Sequence, residues 1–249
     1  MKNKIAIVIP NHRGNLKWPE KISLQRCKDV FSNYDVILVH PEGMDLEEHR
    51  SYGIIKKFIG LEPKYFSSDK MYNRLMNIPY FYKNFLDYDY ILIYQLDTFV
   101  FENNLEEWCN MGYTYVGAPW INERWIEENN RKIPGIGRFF NRVGNGGLSL
   151  RKVKPFYYGS VFLYPLALFW KGNWHEDVFW TTVAARILPG FKVPDVKTAL
   201  KFAFEELPEK CYEMNNNTLP FGCHAWEKFN TPFWATHFKK YGYDISDKI

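Results

Sequence analysis

Apolar and polar positions fall into two patterns along this chain. Short β-branched runs, Ile5 to Ile9, Asp35 to Val39 and Tyr90 to Tyr94, stand between stretches in which apolar residues recur every three or four positions, Lys21 to Phe31 and Tyr72 to Phe85. The first pattern predicts buried strands and the second predicts helices. Pro10 ends the first run, Pro41-Glu-Gly follows the second, and Pro79 interrupts or starts the second helix. Tyr52 to Ile59 predicts a further strand. Alternating strands and helices with short connections imply a mostly parallel, doubly wound α/β sheet, whose ligands sit at the carboxyl ends of the strands. Pro10-Asn-His-Arg-Gly14 and Asp97 both fall on that edge.

The second half is less regular. Tyr113 to Trp120 predicts a strand ending in a turn. Residues 122–142 are polar and charged around Pro134-Gly-Ile-Gly137, too poor in apolar surface to order themselves, and predict a mobile loop that closes over a ligand. Leu148 to Arg151 predicts a strand, an aromatic segment runs on to Trp170, and Asp195 to Glu206 predicts an amphipathic helix. There is no internal repeat and no low-complexity tract.

Composition narrows the class. With 249 residues, 46% of them hydrophobic, the chain can bury the core of one large domain. No apolar run approaches the ~18–20 residues that span a bilayer, and Met1 to Ile9 is too short and β-branched for a signal peptide and reads as a first strand, which agrees with a compact cytosolic enzyme. Cys27, Cys109, Cys211 and Cys223 lack CxxC spacing, which predicts reduced thiols rather than a disulfide framework or zinc ribbon. The net charge of +4 comes from scattered residues, which argues against a nucleic-acid stripe and for anionic small molecules or an anionic membrane surface. Aromatic residues make up 18%, enough both to pack a core and to line a sugar-stacking cleft, and composition alone does not separate these.

Four segments carry candidate chemistry. The nearly unbroken apolar run from Ile91 to Phe101 holds a single acid, Asp97; an unpaired buried carboxylate is costly, so a strand that delivers one to its end offers it to a cation or ligand, or caps a turn. Gly144-Asn-Gly-Gly147 is not a phosphate P-loop, since it lacks the Lys-Ser/Thr ending and precedes a strand; it suits either close backbone approach to a ligand or a tight hairpin. Glu176-Asp177 opens an apolar helical run, where acids also simply favour the helix dipole. His224 follows a Pro-Phe-Gly turn and, taken alone, reads as a structural histidine; a softer metal site with Cys223 lacks a second ligand at suitable spacing.

Taken in order, Tyr94-Gln-Leu-Asp97, Gly144-Asn-Gly-Gly-Leu-Ser-Leu-Arg151, Glu176-Asp177 and Pro220-Phe-Gly-Cys-His-Ala-Trp226 resemble inverting glycosyltransferases of the GT-A fold. The nearest pattern is that of a group of mostly bacterial and fungal glycosyltransferase-like proteins. The resemblance runs from about Ile5 to Trp226. It implies one GT-A-like domain with a nucleotide-binding half (1–101) and an acceptor-binding half (102–249). It further implies transfer of a sugar from a nucleotide-diphosphate donor, a UDP-sugar being favoured, with Mn²⁺ or Mg²⁺. The acceptor would be a glycan, in surface polysaccharide assembly a lipid-linked one that brings the protein to the inner face of the membrane peripherally.

Carried over residue by residue, the resemblance makes Asp97 and His224 metal ligands. Gln95 stands where that fold usually has the first acid of Asp-x-Asp, which weakens the electrostatic case for a tightly held cation and leaves Gln95 to bond the ribose or donor sugar. Asp177 becomes the general base, with Glu176 beside it. Asn145, Gly146 and Gly147 would contact the donor sugar. Asn11, His12, Arg13, Lys70 and Arg74 would reach the nucleotide by their position. Two other classes stay open: a non-catalytic carbohydrate-binding protein, and a sugar-nucleotide nucleotidyltransferase or hydrolase, for which the N-terminal loop is a poor match.

Overall fold

The computed structural model describes residues 2–121, 143–169 and 175–248. The loop expected at 122–142 lies outside the described residues.

Strand β1 (Ile5–Pro10) lies between two parallel neighbours, β2 (Asp35–Pro41) and β4 (Tyr90–Tyr94), and β3 (Ile55–Leu61) extends the parallel set beyond β2. On the other side of β4 the sheet turns antiparallel through β7 (Leu148–Lys152) and β6 (Tyr115–Val116), giving the order β3-β2-β1-β4-β7-β6. The near-continuous apolar character of β1 and β4 has its reason here. Both faces of the sheet are covered, and Ala6, Ile7, Val8, Ile9, Ile91, Leu92 and Ile93 are all fully excluded from solvent. On one face Leu24, Cys27 and Phe31 of the helix Trp18–Phe31 pack on Leu92 and Tyr94. On the other Phe81, Tyr82, Phe85, Phe156 and Trp180 pack on Ala6, Val8, Ile91 and Ile93.

Three two-residue strands form a second sheet: β5 (Phe99–Val100) pairs antiparallel with β9 (Gly222–Cys223), which pairs parallel with β8 (Ala203–Phe204). Its support is aromatic. Phe99 stacks on Phe238 at 3.9 Å between centroids, and Phe101, Trp226 and Trp234 close the cluster.

Several predicted elements change extent. The helix expected over Asp195 to Glu206 covers only Val196–Phe202, capped by Asp195, because Ala203–Phe204 straightens into β8. The span Tyr72 to Phe85 divides into helices Asp69–Leu75 and Pro79–Tyr82 followed by a 3₁₀ turn, with the break at Ile78, whose extended backbone suits the proline after it. The strand expected from Tyr52 begins at Ile55, and that expected over Tyr113 to Trp120 narrows to Tyr115–Val116. The four cysteines are free and buried.

Candidate active site

The strand order reverses direction between β1 and β4, and in an open α/β sheet that is where a crevice opens at the carboxyl ends. Asn11, His12 and Arg13 leave the end of β1, and Gln95-Leu-Asp97 leaves the end of β4 as a turn in which Thr98 N–H donates to the Gln95 carbonyl at 3.0 Å. Between them lies a cavity of about 460 Å³, also lined by Lys17, Ser68, Asp69, Tyr72, Glu227 and Lys228.

A second cavity of about 320 Å³ adjoins it and shares Asp69, Tyr72, Gln95 and Lys228. Strand register builds it. Because β7 runs antiparallel to β4 with Leu148 opposite Tyr94, the residue before β7 falls beside the residue after β4, and Gln95 N–H donates to the Gly147 carbonyl at 2.9 Å. The Gly144 to Gly147 turn is thereby fixed at the site. A Cβ on Gly147 would lie 1.8 Å from His224 Nε2, and one on Gly146 2.2 Å from Glu176 Oε1, so the turn has room for hydrogen only. Asn145 sits in the left-handed region at φ 70°, which Asn tolerates. Each of its polar groups is held: its N–H donates to Asp177 Oδ2 at 2.7 Å, its carbonyl accepts from Tyr115 Oη at 2.5 Å, its Oδ1 accepts from Gly147 N–H at 3.0 Å, and its Nδ2 donates to Glu205.

The small sheet assembles the other half by the same logic. Pairing of Phe99 and Phe204 with Cys223 lines up the residues that follow or precede them, so Asp97, Glu205 and His224 converge from three segments far apart in sequence. His224 Nε2 lies 3.0 Å from Gln95 Oε1 and 3.1 Å from Asp97 Oδ1, while Nδ1 lies 3.1 Å from Glu205 Oε1. Asp97 Oδ1 is buried and, despite that short ion-pair distance, has no hydrogen bond of good geometry. Lys228 Nζ stands 3.6 Å from Asp97 Oδ2. Burial pushes the Asp97 carboxyl up, but His224 and Lys228 outweigh it and hold it at about 2. Burial likewise pushes the His224 imidazolium down, and the Asp97 and Glu205 carboxylates outweigh that and raise it to about 10. Among the described residues no group of three or more His, Cys, Asp and Glu side chains is arranged to hold a metal ion.

The two acids that open the helical run differ in role. Glu176 is buried in a two-pronged ion pair with Arg151, Nη2 to Oε1 at 2.5 Å and Nη1 to Oε2 at 2.9 Å, and Arg151 is also bound by Tyr82 and Ser149. Its oxygens are taken by Arg151, so Glu176, which also lines the second cavity, ties the run to β7. Asp177 lines the second cavity. Its Oδ1 accepts from Val178 N–H at 2.8 Å as its Oδ2 accepts from Asn145, and burial raises its carboxyl above the usual range, with His175 and these two N–H groups opposing. The helix it starts continues as a π-helical turn over Phe179–Ala184.

Most of the residues singled out in the sequence meet at these cavities: Asn11, His12, Arg13, Gln95 and Asp97 at the first, and Gln95, Asn145, Gly146, Gly147, Glu176, Asp177 and His224 at the second. Lys70 and Arg74 do not. The helix Asp69–Leu75 presents Asp69, Tyr72 and Asn73 to the cavities, and both cations are exposed and line neither. Sequence reasoning missed Glu205, hidden inside an expected helix, and Lys228, Tyr72 and Asn73. Only Lys228 carried a readable signal, a cation four positions after His224.

The fold is shared with solved glycosyltransferases. The galactosyltransferase LgtC, solved in complex with donor and acceptor sugar analogues, superposes with a TM-score of 0.58 at 15% identity over 94% of each chain. Mouse xyloside xylosyltransferase 1 gives 0.52 at 11% identity over 89% of this chain and 97% of its own. GlyE of Streptococcus pneumoniae gives 0.51 at 11% identity, over 89% of this chain and 54% of its own. At these identities the likeness is one of fold, and the doubly wound mixed sheet is of the GT-A type. No curated protein matches the sequence. A family model does match, over residues 56–224, a span that takes in Asp97, the glycine turn, Asp177, Glu205 and His224: the chain belongs to the family described as protein of unknown function (DUF5672).

Proposed function

We propose that this protein is a glycosyltransferase that moves a sugar from a nucleoside-diphosphate donor to a hydroxyl of a glycan acceptor. The observation that supports it best is the junction of the two cavities, where Gln95, Asp97, His224 and Lys228 converge on a fold shared with glycosyltransferases. The cavity between β1 and β4 takes the nucleoside, against Asn11 to Arg13. The diphosphate lies at the junction, where the Lys228 ammonium counters its charge. The sugar enters the second cavity beside the Gly146-Gly147 backbone. The division at residue 101 into nucleotide and acceptor halves is thus crossed by Lys228, which completes the first half's crevice, and by His224, which meets Gln95 and Asp97 from the adjoining cavity.

The donor atoms at the junction suit a hard divalent cation, Mn²⁺ or Mg²⁺. Asp97 Oδ1 is a buried carboxylate oxygen with no hydrogen bond of good geometry, and Gln95 Oε1 and His224 Nε2, the latter once it gives up its proton, meet beside it. These three atoms would hold the cation. When bound, the cation neutralises charge that develops on the departing diphosphate.

Asp177 is the base. Its raised carboxyl makes it a better proton acceptor near neutrality than an ordinary aspartate. The acceptor oxygen bonds to the anomeric carbon, the bond from that carbon to the phosphate oxygen breaks, the nucleoside diphosphate leaves, and the hydroxyl proton passes to Asp177. A single in-line displacement inverts the anomeric configuration, which NMR of the product reads directly; a retained configuration would reject Asp177 as base of a direct displacement.

The lipid-linked acceptor and peripheral membrane attachment draw support from Tyr158, Val161 and Phe162, which leave an apolar strip exposed on the helix Val153–Phe162. Among the described residues no helix is long and apolar enough to cross a membrane. Free, buried cysteines agree with a cytosolic setting.

A thermal-shift screen of nucleoside diphosphates and their sugars, UDP-sugars first, with and without Mn²⁺ tests the reading, since a ligand at 100 times its Kd stabilises by ~2.7 kcal/mol. Stabilisation by a nucleotide sugar that is lost in Asp97→Ala supports it. Stabilisation by free glycans alone would favour a carbohydrate-binding protein.

A further inference from the structure

Glu205 lies outside the glycine turn, the Glu176-Asp177 pair and the segment around His224, yet it touches both halves of the site. Its Oε1 meets His224 Nδ1 at 3.1 Å and its Oε2 accepts from Asn145 Nδ2. The orientation of the Asn145 amide is fixed independently, because Gly147 N–H requires the amide oxygen on its side, at 3.0 Å. An ionised carboxylate only accepts. The hydrogen on His224 Nδ1 therefore points to Glu205, and Nε2, whose own hydrogen a cation would displace, faces Gln95 and Asp97 at 3.0 and 3.1 Å.

We propose that Glu205 is a positioning residue that orients His224 toward the cation and diphosphate and locks the Gly-Asn-Gly-Gly turn to it. The inference rests on the cation reading of the junction given above. Register explains how it is built. Glu205 follows β8 and His224 follows β9, parallel neighbours, and the His224 N–H donates to the Phe204 carbonyl at 3.0 Å, so the two side chains project side by side. A metal-binding imidazole held by a carboxylate on its other nitrogen has its ring orientation and tautomer fixed.

The requirement for two acceptors makes the proposal sharp. In Glu205→Gln the amide has one oxygen. If that oxygen serves Asn145, its NH₂ faces His224 Nδ1 and places the ring hydrogen on Nε2, where the cation belongs. If it serves His224, the NH₂ opposes the Asn145 NH₂ and the turn loosens. Either arrangement weakens the site without removing a candidate ligand.

The test is the affinity for Mn²⁺, alone and with UDP, by calorimetry on the full chain: wild type, Glu205→Gln, His224→Ala, the double variant and Asp97→Ala. Loss of an outer-shell partner costs 10–100-fold in metal affinity, and that fall is expected for Glu205→Gln. In the His224→Ala background the same substitution is expected to change affinity less than twofold, because Glu205 acts through the ring. Wild-type affinity in Glu205→Gln, or an undiminished effect of it in the His224→Ala background, overturns the proposal. Wild-type affinity in Asp97→Ala, or no binding to the wild type, overturns instead the cation reading beneath it. If Glu205→Gln does not fold, Glu205→Asp serves in the same cycle: it keeps both acceptor oxygens but withdraws them by one methylene.

Discussion

The two sheets of this protein do different work with different means. The six-stranded sheet is built of aliphatic strands five to seven residues long at its centre, sealed on both faces, and it supplies a rigid edge. The three-stranded sheet is built of strands two residues long that cannot hold themselves, and rings hold them: Phe99 on Phe238, Phe101 against Trp234, Trp18 and Phe238 against Trp226. Yet Glu205 and His224 directly follow its strands, and Asp97 leads into β5. A backbone register of two residues fixes three side chains to within hydrogen-bonding distance only because an aromatic cluster behind it leaves no slack. The lesson is that the architecture comes from the larger sheet and the precision of the site from the smaller.

That contrast can be broken most severely at the chemistry. Asp177 belongs to a helix anchored on the large sheet through the Glu176–Arg151 pair, whereas Asp97 stands in the turn that joins β4 of the large sheet to β5 of the small one. Asp177→Asn is expected to lower turnover by ~10²–10⁴ while leaving metal-dependent donor affinity near wild type, and Asp97→Ala to do the reverse, removing donor affinity first. Steady-state kinetics beside calorimetry separates them. Loss of donor affinity in both would erase the division of labour between the sheets.

A second contrast lies in the cores. Phe238→Ala and Phe85→Ala each remove a fully buried ring, and each should cost ~3–5 kcal/mol by urea unfolding. Only Phe238→Ala, which loosens the small sheet, should also weaken binding of Mn²⁺ with UDP in the protein that remains folded, by ~10-fold or more. Equal affinities in the two variants would show that the short strands keep their register without the rings.

The smallest effect is on pH dependence, in the presence of a chelator. The Asp97 carboxyl lies at about 2 against an ordinary 3.8, so its contribution to stability is present above 3.8 and lost as pH falls through 2. The His224 imidazolium lies at about 10 against an ordinary 6.5, so its contribution is full below 6.5 and lost as pH rises through 10. The pair therefore stabilises most between about pH 4 and 6.5. In Asp97→Asn the decline in melting temperature from pH 6.5 to 10 should become shallower, since Glu205 alone remains opposite the ring. An unchanged slope would locate the alkaline sensitivity elsewhere.

The sequence by itself determined the large sheet and the edge at which ligands would meet it. Aliphatic runs such as Ile5 to Ile9 and Tyr90 to Tyr94 have no other stable place than a doubly covered strand. The same local chemistry marked Asp97, Asn145, Asp177 and His224, residues whose type is unusual where it stands. Lys70 and Arg74 had the right charge but the wrong side of their helix, because a seven-residue helix carries too little apolar pattern to fix its phase. Tertiary structure decided what no window of sequence contains: that Glu176 is consumed by Arg151, that the residue before β7 lies beside the residue after β4, and that Glu205 leaves a two-residue strand next to His224. Strands that short have no periodicity to read, and their pairing is imposed by rings and partners that the chain brings together only when folded.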